Sequence, residues 1–163
     1  MMRVKEIMNR RPVLLSPDMT LRKAAEMLIE NKISGAPVVD SQGKLIGFLM
    51  LGDIIHFIKN RLMSVGIIIP PTPFDFIDFY QYELPVETKD SIRREISETK
   101  VSEVMCRRVH TVNPDEDLWS VIYILAKKDV SHVPVVDENQ RVIGIITRSD
   151  VIKALSQLEE ITD

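Results

Sequence analysis

Thr147 and Asp150 are the residues whose types and spacing best suit chemistry, because they lie three positions apart where an apolar strand turns into a helix. A carboxylate accepts hydrogen bonds from hydroxyl groups, and such charge-assisted bonds are strong. A threonine hydroxyl donates to anionic oxygens, and the unpaired amides at a helix N-terminus favour phosphate. The same spacing is typical of a helix capping box. The corner is therefore a binding site for a hydroxyl-bearing anion or a helix cap, and the two interpretations are compatible.

The corner belongs to an internal repeat. Val4–Met8 corresponds to Val101–Met105, an offset of 101 − 4 = 97 residues. The same offset places Asp53 on Asp150 without any insertion between. One register kept over about fifty residues indicates two copies of one fold. A single copy of about sixty residues would be marginal alone, so we expect the copies to bury each other's apolar faces.

Each copy predicts the order β-α-β-β-α after its opening segment. In the first half, Ser16-Pro17-Asp18 follows a short β stretch and predicts a helix start, with a capping side chain, then proline, then an acid. Within this helix, apolar residues over Leu21–Ile29 fall on one face at helical spacing. Ala36–Asp40 and Lys44–Leu49 predict a hairpin, with a helix from Asp53 onward. The second half predicts the same elements, with Asn113-Pro114-Asp115 as its helix start.

Composition excludes several classes of protein. The net charge of −3 gives no electrostatic case for nucleic acid. The single cysteine, Cys106, excludes an intrachain disulfide and fits a reducing compartment. The chain shows no signal-peptide pattern and no apolar run near the ~18 residues of a membrane span. We therefore predict a cytoplasmic protein without a membrane segment.

Catalytic and metal-binding patterns are missing from the sequence. His56, His110 and His132 lie at no zinc-ligand spacing, and no phosphate-binding glycine loop or nucleophile elbow occurs. Arg10-Arg11 matches Arg107-Arg108 at the repeat offset, and with His110 these form either a basic spot or a solvated surface. We predict no enzymatic activity, no metal and no required cofactor.

A segment of different character separates the halves. Pro70-Pro71-Thr72-Pro73 breaks the preceding helix, and Phe74–Tyr82 is densely aromatic, while Asp90–Glu98 is charged and predicts a helix. The aromatic stretch is either a partner or dimer surface or a cover for the flank of its own module.

The repeat, the Pro-Val-Val-Asp strands and the Gly144–Asp150 corner together resemble a tandem pair of cystathionine-β-synthase (CBS) domains, a Bateman module. The resemblance implies an α/β (α+β) fold of two β-α-β-β-α repeats with pseudo-twofold symmetry. We assign repeat 1 to residues 1–62, an insert to 63–100 and repeat 2 to 101–163. The resemblance also implies two clefts for adenosine-containing ligands, assembly as a homodimer, and a regulatory role.

Carried over residue by residue, the resemblance implies two unequal sites. The second half has the whole family signature, so the stronger site uses Thr147 and Asp150, with Asp150 toward the ribose. His132 is either a phosphate contact that titrates near neutral pH or a histidine satisfied at a strand edge. The predicted stronger site comprises Thr147, Asp150, Arg148, Ser149, Ile145, His132, Ser16, Ile33, Ser34, Gly35 and Ala36.

The first half departs from the signature, because Met50 replaces the Ser or Thr and cannot donate to phosphate. Its site should therefore be weaker and should suit an adenosine moiety whose phosphate is not tightly held. The predicted weaker site comprises Asp53, Phe48, Asn113, Pro114, Leu118, Val130 and Ser131.

We predict a regulatory module that binds AMP, ADP, ATP or another adenosyl ligand and passes the signal to a partner protein. The rival hypotheses are a structural dimerisation module with no physiological ligand, and an enzyme acting on the nucleotide.

Overall fold

The structure is a computed structural model that describes residues 1–66 and 83–158. Within these ranges one order of elements, α-α-β-β-α, occurs twice, with α4 between the two copies. They are α1 Val4–Ile7, α2 Leu21–Glu30, β1 Gly35–Val39, β2 Leu45–Met50, α3 Leu51–Ser64, α4 Val86–Glu98, α5 Val101–Val104, α6 Leu118–Lys128, β3 His132–Val136, β4 Val142–Thr147 and α7 Arg148–Leu158. This mixed α+β arrangement of two related halves confirms the predicted fold class.

Each half contains a two-stranded antiparallel sheet. β1 pairs with β2, with Gly35 opposite Met50, and β3 pairs with β4, with His132 opposite Thr147. The predicted first strand of each half is reduced to one bridging residue, Leu15 beside Val38 and its equivalent in the second half. The ends of β2 and β4 run directly into α3 and α7, so each sheet presents the corner predicted from the sequence.

Both long helices after the bridging residues start later than the sequence predicts. α2 is capped by Thr20, whose Oγ1 accepts a hydrogen bond from Lys23 N at 3.2 Å, and α6 is capped by Asp117. The predicted cap Ser16 lies in a turn before the helix, where the Pro17 carbonyl accepts a hydrogen bond from Ser102 N at 3.0 Å. This long-range hydrogen bond to the Pro17 carbonyl holds the segment out of the helix. The local Ser-Pro-Asp pattern could not indicate such a distant contact.

The two halves exchange their opening segments. Val4 and Met8, around α1, are buried in the core of the second half, beside residues such as Val133 and Ile146. Val101 and Met105, around α5, are buried in the core of the first half. Neither core is complete without the segment from the other repeat.

Glycines in β2 and β4 allow this close approach. Asn9 exchanges backbone hydrogen bonds of 2.9 and 3.0 Å with Ile145. A Cβ built on Gly144 would lie 2.6 Å from Met8 Sδ and 3.0 Å from the Asn9 carbonyl oxygen. Gly47 has the same relation to Met105 and Cys106. A side chain at either position would push the exchanged segment away from the strand.

The charged part of the predicted insert forms α4, which packs beside α2 of the first half. Its Ile96 lies against the first core, and Glu95 forms an ion pair with Arg61 at 3.1 Å. The Pro70–Pro73 and Phe74–Tyr82 stretches lie outside the described residues. Through α4, the described part of the insert covers one flank of the first half.

Across residues 1–66 and 83–158, no helix combines the length and the apolar character needed to span a membrane.

Candidate ligand clefts

The corner at the end of β4 opens into a cavity of about 300 Å³ between the two halves, which we name the Thr147 cleft. Small-molecule sites start at about this volume. The second half contributes the strand ends, and the first half contributes the chain after α1 and the chain before β1. The lining residues are Asn9, Arg11, Pro12, Val13, Asn31, Ile33, Gly35, His132, Ile145, Thr147 and Asp150. Six of the eleven residues predicted for the stronger site therefore line one cavity.

Thr147 and Asp150 bond to each other in the manner of a capping box. Asp150 Oδ2 accepts a hydrogen bond from Thr147 N at 2.8 Å and another from Thr147 Oγ1 at 2.9 Å. Within the described part of the chain, Asp150 Oδ1 receives no hydrogen bond. Asp150 therefore caps α7 with one oxygen and leaves the other available at the cleft, while the Thr147 hydroxyl uses its one hydrogen within the cap. The helix cap is thus present, and the binding of a ligand at this corner stays a prediction.

The cation that lines the Thr147 cleft is Arg11 rather than Arg148. Arg148 turns the other way, donating from Nε to the Val130 carbonyl at 3.3 Å and pairing through a terminal nitrogen with Asp129 at 3.2 Å. From the sequence, Arg11 belongs either to a basic spot or to a solvated surface. Its match to Arg108 at the repeat offset was the signal that could have identified it, because the two arginines occupy equivalent places in the two clefts.

His132 is half-buried at the start of β3. Its Nδ1 shares a hydrogen bond with the Ser131 hydroxyl at 2.7 Å, and its ring lies against Phe48, with centroids 5.5 Å apart. Burial lowers the pKa of His132 below its ordinary value; the Arg148 charge lowers it further, and Asp150 opposes both. The imidazole is therefore mainly neutral at pH 7 without a ligand.

A second cavity of about 240 Å³, the Met50 cleft, lies at the end of β2. Its walls are the repeat equivalents of those of the Thr147 cleft, with Met50 for Thr147, Asp53 for Asp150 and Phe48 for Ile145. Asp53 Oδ2 accepts a hydrogen bond from Met50 N at 2.8 Å, so it caps α3 as Asp150 caps α7. The lining residues are Phe48, Met50, Asp53, Cys106, Arg108, Val109, His110, Asp129, Val130, Ser131 and His132.

Several residues predicted for the sites lie elsewhere. Ala36 is buried in the first core, where it is 1% exposed, Ser16 belongs to the turn before α2, and Ser34 and Ser149 are exposed outside the Thr147 lining. Leu118, predicted for the weaker site, is 2% exposed in the second core. The spacing of repeats identifies equivalent positions, but the direction of each side chain depends on strand and helix phase.

Asn113 and Pro114, also predicted for the weaker site, line a separate groove of about 840 Å³ beside the β3–β4 turn. Asp115, Glu116, Asp137 and Glu138 also line it. This groove is larger than either cleft, but its four carboxylates would repel a phosphate. The clefts at the strand-to-helix corners are therefore the better candidates for an anionic ligand.

Comparison with known proteins places this geometry in a family. The CBS domain family matches residues 4–60 and 101–157. The uncharacterized protein MJ1426 of Methanocaldococcus jannaschii is 34% identical over 160 residues, covering 94% of this chain and 91% of that protein. MJ1232 of the same organism is 34% identical over 142 residues, covering 87% of this chain but only 36% of that longer protein.

Solved structures agree with the fold. The CBS domain pair of protein MJ0100, in complex with 5′-methylthioadenosine and S-adenosyl-L-methionine, has a TM-score of 0.67 at 25% identity, covering 96% of this chain and 97% of that one. Arabidopsis thaliana CBSX2 in complex with AMP has a TM-score of 0.71 at 22% identity, covering 98% and 99%. The resemblance seen in the sequence is thus confirmed, and the chain belongs to the CBS domain family as a tandem pair of CBS domains.

Proposed function

We propose that this chain is a non-catalytic regulatory module that binds an adenine nucleotide, chiefly in the Thr147 cleft. The observation that carries the proposal is the convergence, in one cavity of about 300 Å³, of a carboxylate oxygen, a hydroxyl, an arginine and apolar walls. Each of these groups suits a different part of a nucleotide.

Asp150 suits the ribose, because its free Oδ1 can accept hydrogen bonds from sugar hydroxyls. A carboxylate beside a phosphate would be repulsive, so the phosphate belongs nearer Thr147, Arg11 and the first turn of α7. Arg11 is exposed at its place in the lining. Among the residues that the structure describes, its guanidinium forms no ion pair, so it is available to bind a phosphate.

The apolar part of the cleft suits the base. Ile33 and Ile145 line it from opposite halves, with Pro12 and Val13 beside them. A flat purine ring between apolar side chains of the two repeats would contact both at once. Ligand binding could then change the relative arrangement of the halves to the extent that it favours one arrangement over the other.

The Met50 cleft is proposed as the weaker site. Met50 offers no hydrogen to a phosphate, and the cleft's volume of about 240 Å³ is the smaller of the two. Phe48, Val109 and Val130 add apolar surface. This lining suits an adenosyl group that carries no tightly held phosphate.

A relative supports the ligand class. The CBS pair of MJ0100, 25% identical to this chain, is complexed with two adenosyl compounds, 5′-methylthioadenosine and S-adenosyl-L-methionine. For this chain we propose only that the ligand contains the adenosyl moiety that these two compounds share. We further propose that the module acts in the cytoplasm as a homodimer and passes its ligand state to a protein partner.

The test is calorimetric titration of the protein with AMP, comparing Asp150→Asn with Asp53→Asn. Both changes keep an oxygen that can cap the helix, and each removes one carboxylate charge from one cleft. Charge-assisted hydrogen bonds contribute about 1.5–3 kcal/mol, so Asp150→Asn should weaken AMP about 10- to 100-fold, with a much smaller effect for Asp53→Asn.

Arg11→Ala against Arg10→Ala is the matched test of the phosphate contact. Arg11 lines the cleft, whereas Arg10 donates to the Lys5 carbonyl at 2.9 Å outside it. Arg11→Ala should weaken AMP but leave adenosine binding almost unchanged. No measurable binding of AMP, ATP or S-adenosylmethionine to the unmodified protein would instead favour a purely structural module.

A further inference from the structure

The two clefts share a wall, and that wall is one side chain. His132 lines the Thr147 cleft and the Met50 cleft. Among the described residues, no other side chain or backbone segment is common to the two linings. His132 is opposite Thr147 in the β3–β4 pair, and its ring centroid lies 5.5 Å from that of Phe48.

The repeat equivalent of His132 is Gly35, so the partition is asymmetric. A Cβ on Gly35 would clash with Met50 Sδ and would lie 2.8 Å from Phe48 Cε1. Two side chains of the Met50 cleft thus occupy the space that a residue at position 35 would need. Position 35 lines the Thr147 cleft without a side chain, whereas His132 lines both clefts.

The charges around His132 differ on its two sides. Burial keeps the pKa of the imidazole low, with Arg148 acting in the same direction and Asp150 against it. The charged and titratable groups that share its cavities are Arg11 and Asp150 on the Thr147 side and Asp53, Arg108, His110 and Asp129 on the Met50 side. Arg148, which pairs with Asp129, lines neither cavity but acts on the ring through its charge. A bound anion in the Thr147 cleft adds negative charge beside the ring and favours its protonated form.

We propose that His132 couples the two clefts, so that occupancy of one changes the affinity of the other. This inference rests on the proposed function, since it concerns the ligands of the same sites. An anion in the Thr147 cleft draws the ring toward itself and away from Phe48, which changes the shape and charge of the Met50 wall. Coupling between binding sites is reciprocal, so filling the Met50 cleft changes the affinity for AMP by the same factor.

Cys106 makes the experiment possible without a new mutation. It is the only cysteine in the chain, it is exposed, and it lines the Met50 cleft but not the Thr147 cleft. Alkylation of Cys106 with N-ethylmaleimide therefore adds a bulky group at the lining of the Met50 cleft and leaves the lining of the Thr147 cleft unmodified. The affinity for AMP is then measured by calorimetry on free and alkylated protein, for the unmodified sequence and for His132→Asn and His132→Phe.

His132→Asn keeps a polar atom near Ser131 but removes the part of the ring that reaches Phe48, whereas His132→Phe keeps a ring without a titrating group. We expect alkylation to change the AMP dissociation constant by about fivefold or more in the unmodified sequence, by less than twofold in His132→Asn, and by an amount independent of pH between about 6 and 8 in His132→Phe. Thermal melts of each variant check folding.

Two results would overturn the inference while the proposed function stands. One is an AMP affinity that alkylation leaves unchanged in the unmodified sequence, and this comparison needs no variant to fold. The other is equal coupling in the unmodified sequence and His132→Asn. If AMP binds none of these proteins, the proposed function fails, and the coupling fails with it.

Discussion

Gly144→Ala tests whether the packing of the exchanged opening segment against β4 requires a residue without a side chain at position 144. The added methyl would meet Met8 Sδ at 2.6 Å, Met8 Cγ at 3.0 Å and the Asn9 carbonyl oxygen at 3.0 Å. The end of the methionine can move, but the Asn9 carbonyl is held by its hydrogen bond with Ile145 N at 3.0 Å. Strain must therefore remain after Met8 adjusts.

Overpacking of this kind costs about 1–3 kcal/mol. For a protein of this size, each kcal/mol lowers Tm by about 2–4 °C, so the clash should lower Tm by about 2–12 °C. Alanine also restricts the unfolded chain relative to glycine, which stabilises by about 0.4–1 kcal/mol where the native backbone is compatible. A control variant must therefore have the same effect on the unfolded chain but must not introduce a clash.

Gly52→Ala is that control, because a Cβ at Gly52, in the first turn of α3, would contact nothing within 4 Å. We expect the Tm of Gly52→Ala to be unchanged or raised, and that of Gly144→Ala to lie well below it, in calorimetric scans at equal concentration. In a Met8→Ala background the cost of Gly144→Ala should shrink, since two of the three close atoms are gone. Equal melting temperatures for the two alanine variants would refute the close-approach argument.

Two further predictions concern helix capping and pH. Thr20→Ala should cost about 1 kcal/mol in denaturant unfolding and Ser16→Ala much less, because Thr20 caps α2; the reverse order would restore the helix start suggested by the sequence. Since burial and then Arg148 lower the folded-state pKa of His132 from 6.5, the unfolded chain binds a proton first as the pH falls. The free energy of unfolding should therefore decline from about pH 6.5 downward, and His132→Phe should remove that part of the slope; an unchanged slope would contradict the assignment.

The repeat predicted most of the fold because its signals are local. The Val38-Val39 strand, the turn at Gly43 and the returning strand all form within one short stretch, and they appear in the structure almost as expected. The predicted start of α2 was wrong because Thr20 forms a β-bridge with Lys100. No local pattern reports a partner eighty positions away in the sequence (100 − 20).

The candidate site divides in the same way. Thr147, Asp150 and Ile145 sit on one strand-to-helix corner, so the family signature was enough to bring them together. Arg148 and Arg11 could not be ranked from spacing alone. Arg148 points away from the Thr147 cleft because it forms a tertiary ion pair with Asp129, and spacing does not reveal that contact. The assignment of ligands to these residues stays a prediction until the titrations are made.

The exchange of opening segments has a consequence for synthesis on the ribosome. The first core is complete only when Val101 and Met105 have joined it. The second core needs Val4 together with residues as late in the chain as Ala154. Contacts so distant along the chain form slowly, and domains usually fold as units while the polypeptide emerges. Nascent chains released after the first sixty residues or so should remain protease-sensitive. The first core should become resistant only after Met105 has emerged, and the second only after Ala154 has emerged.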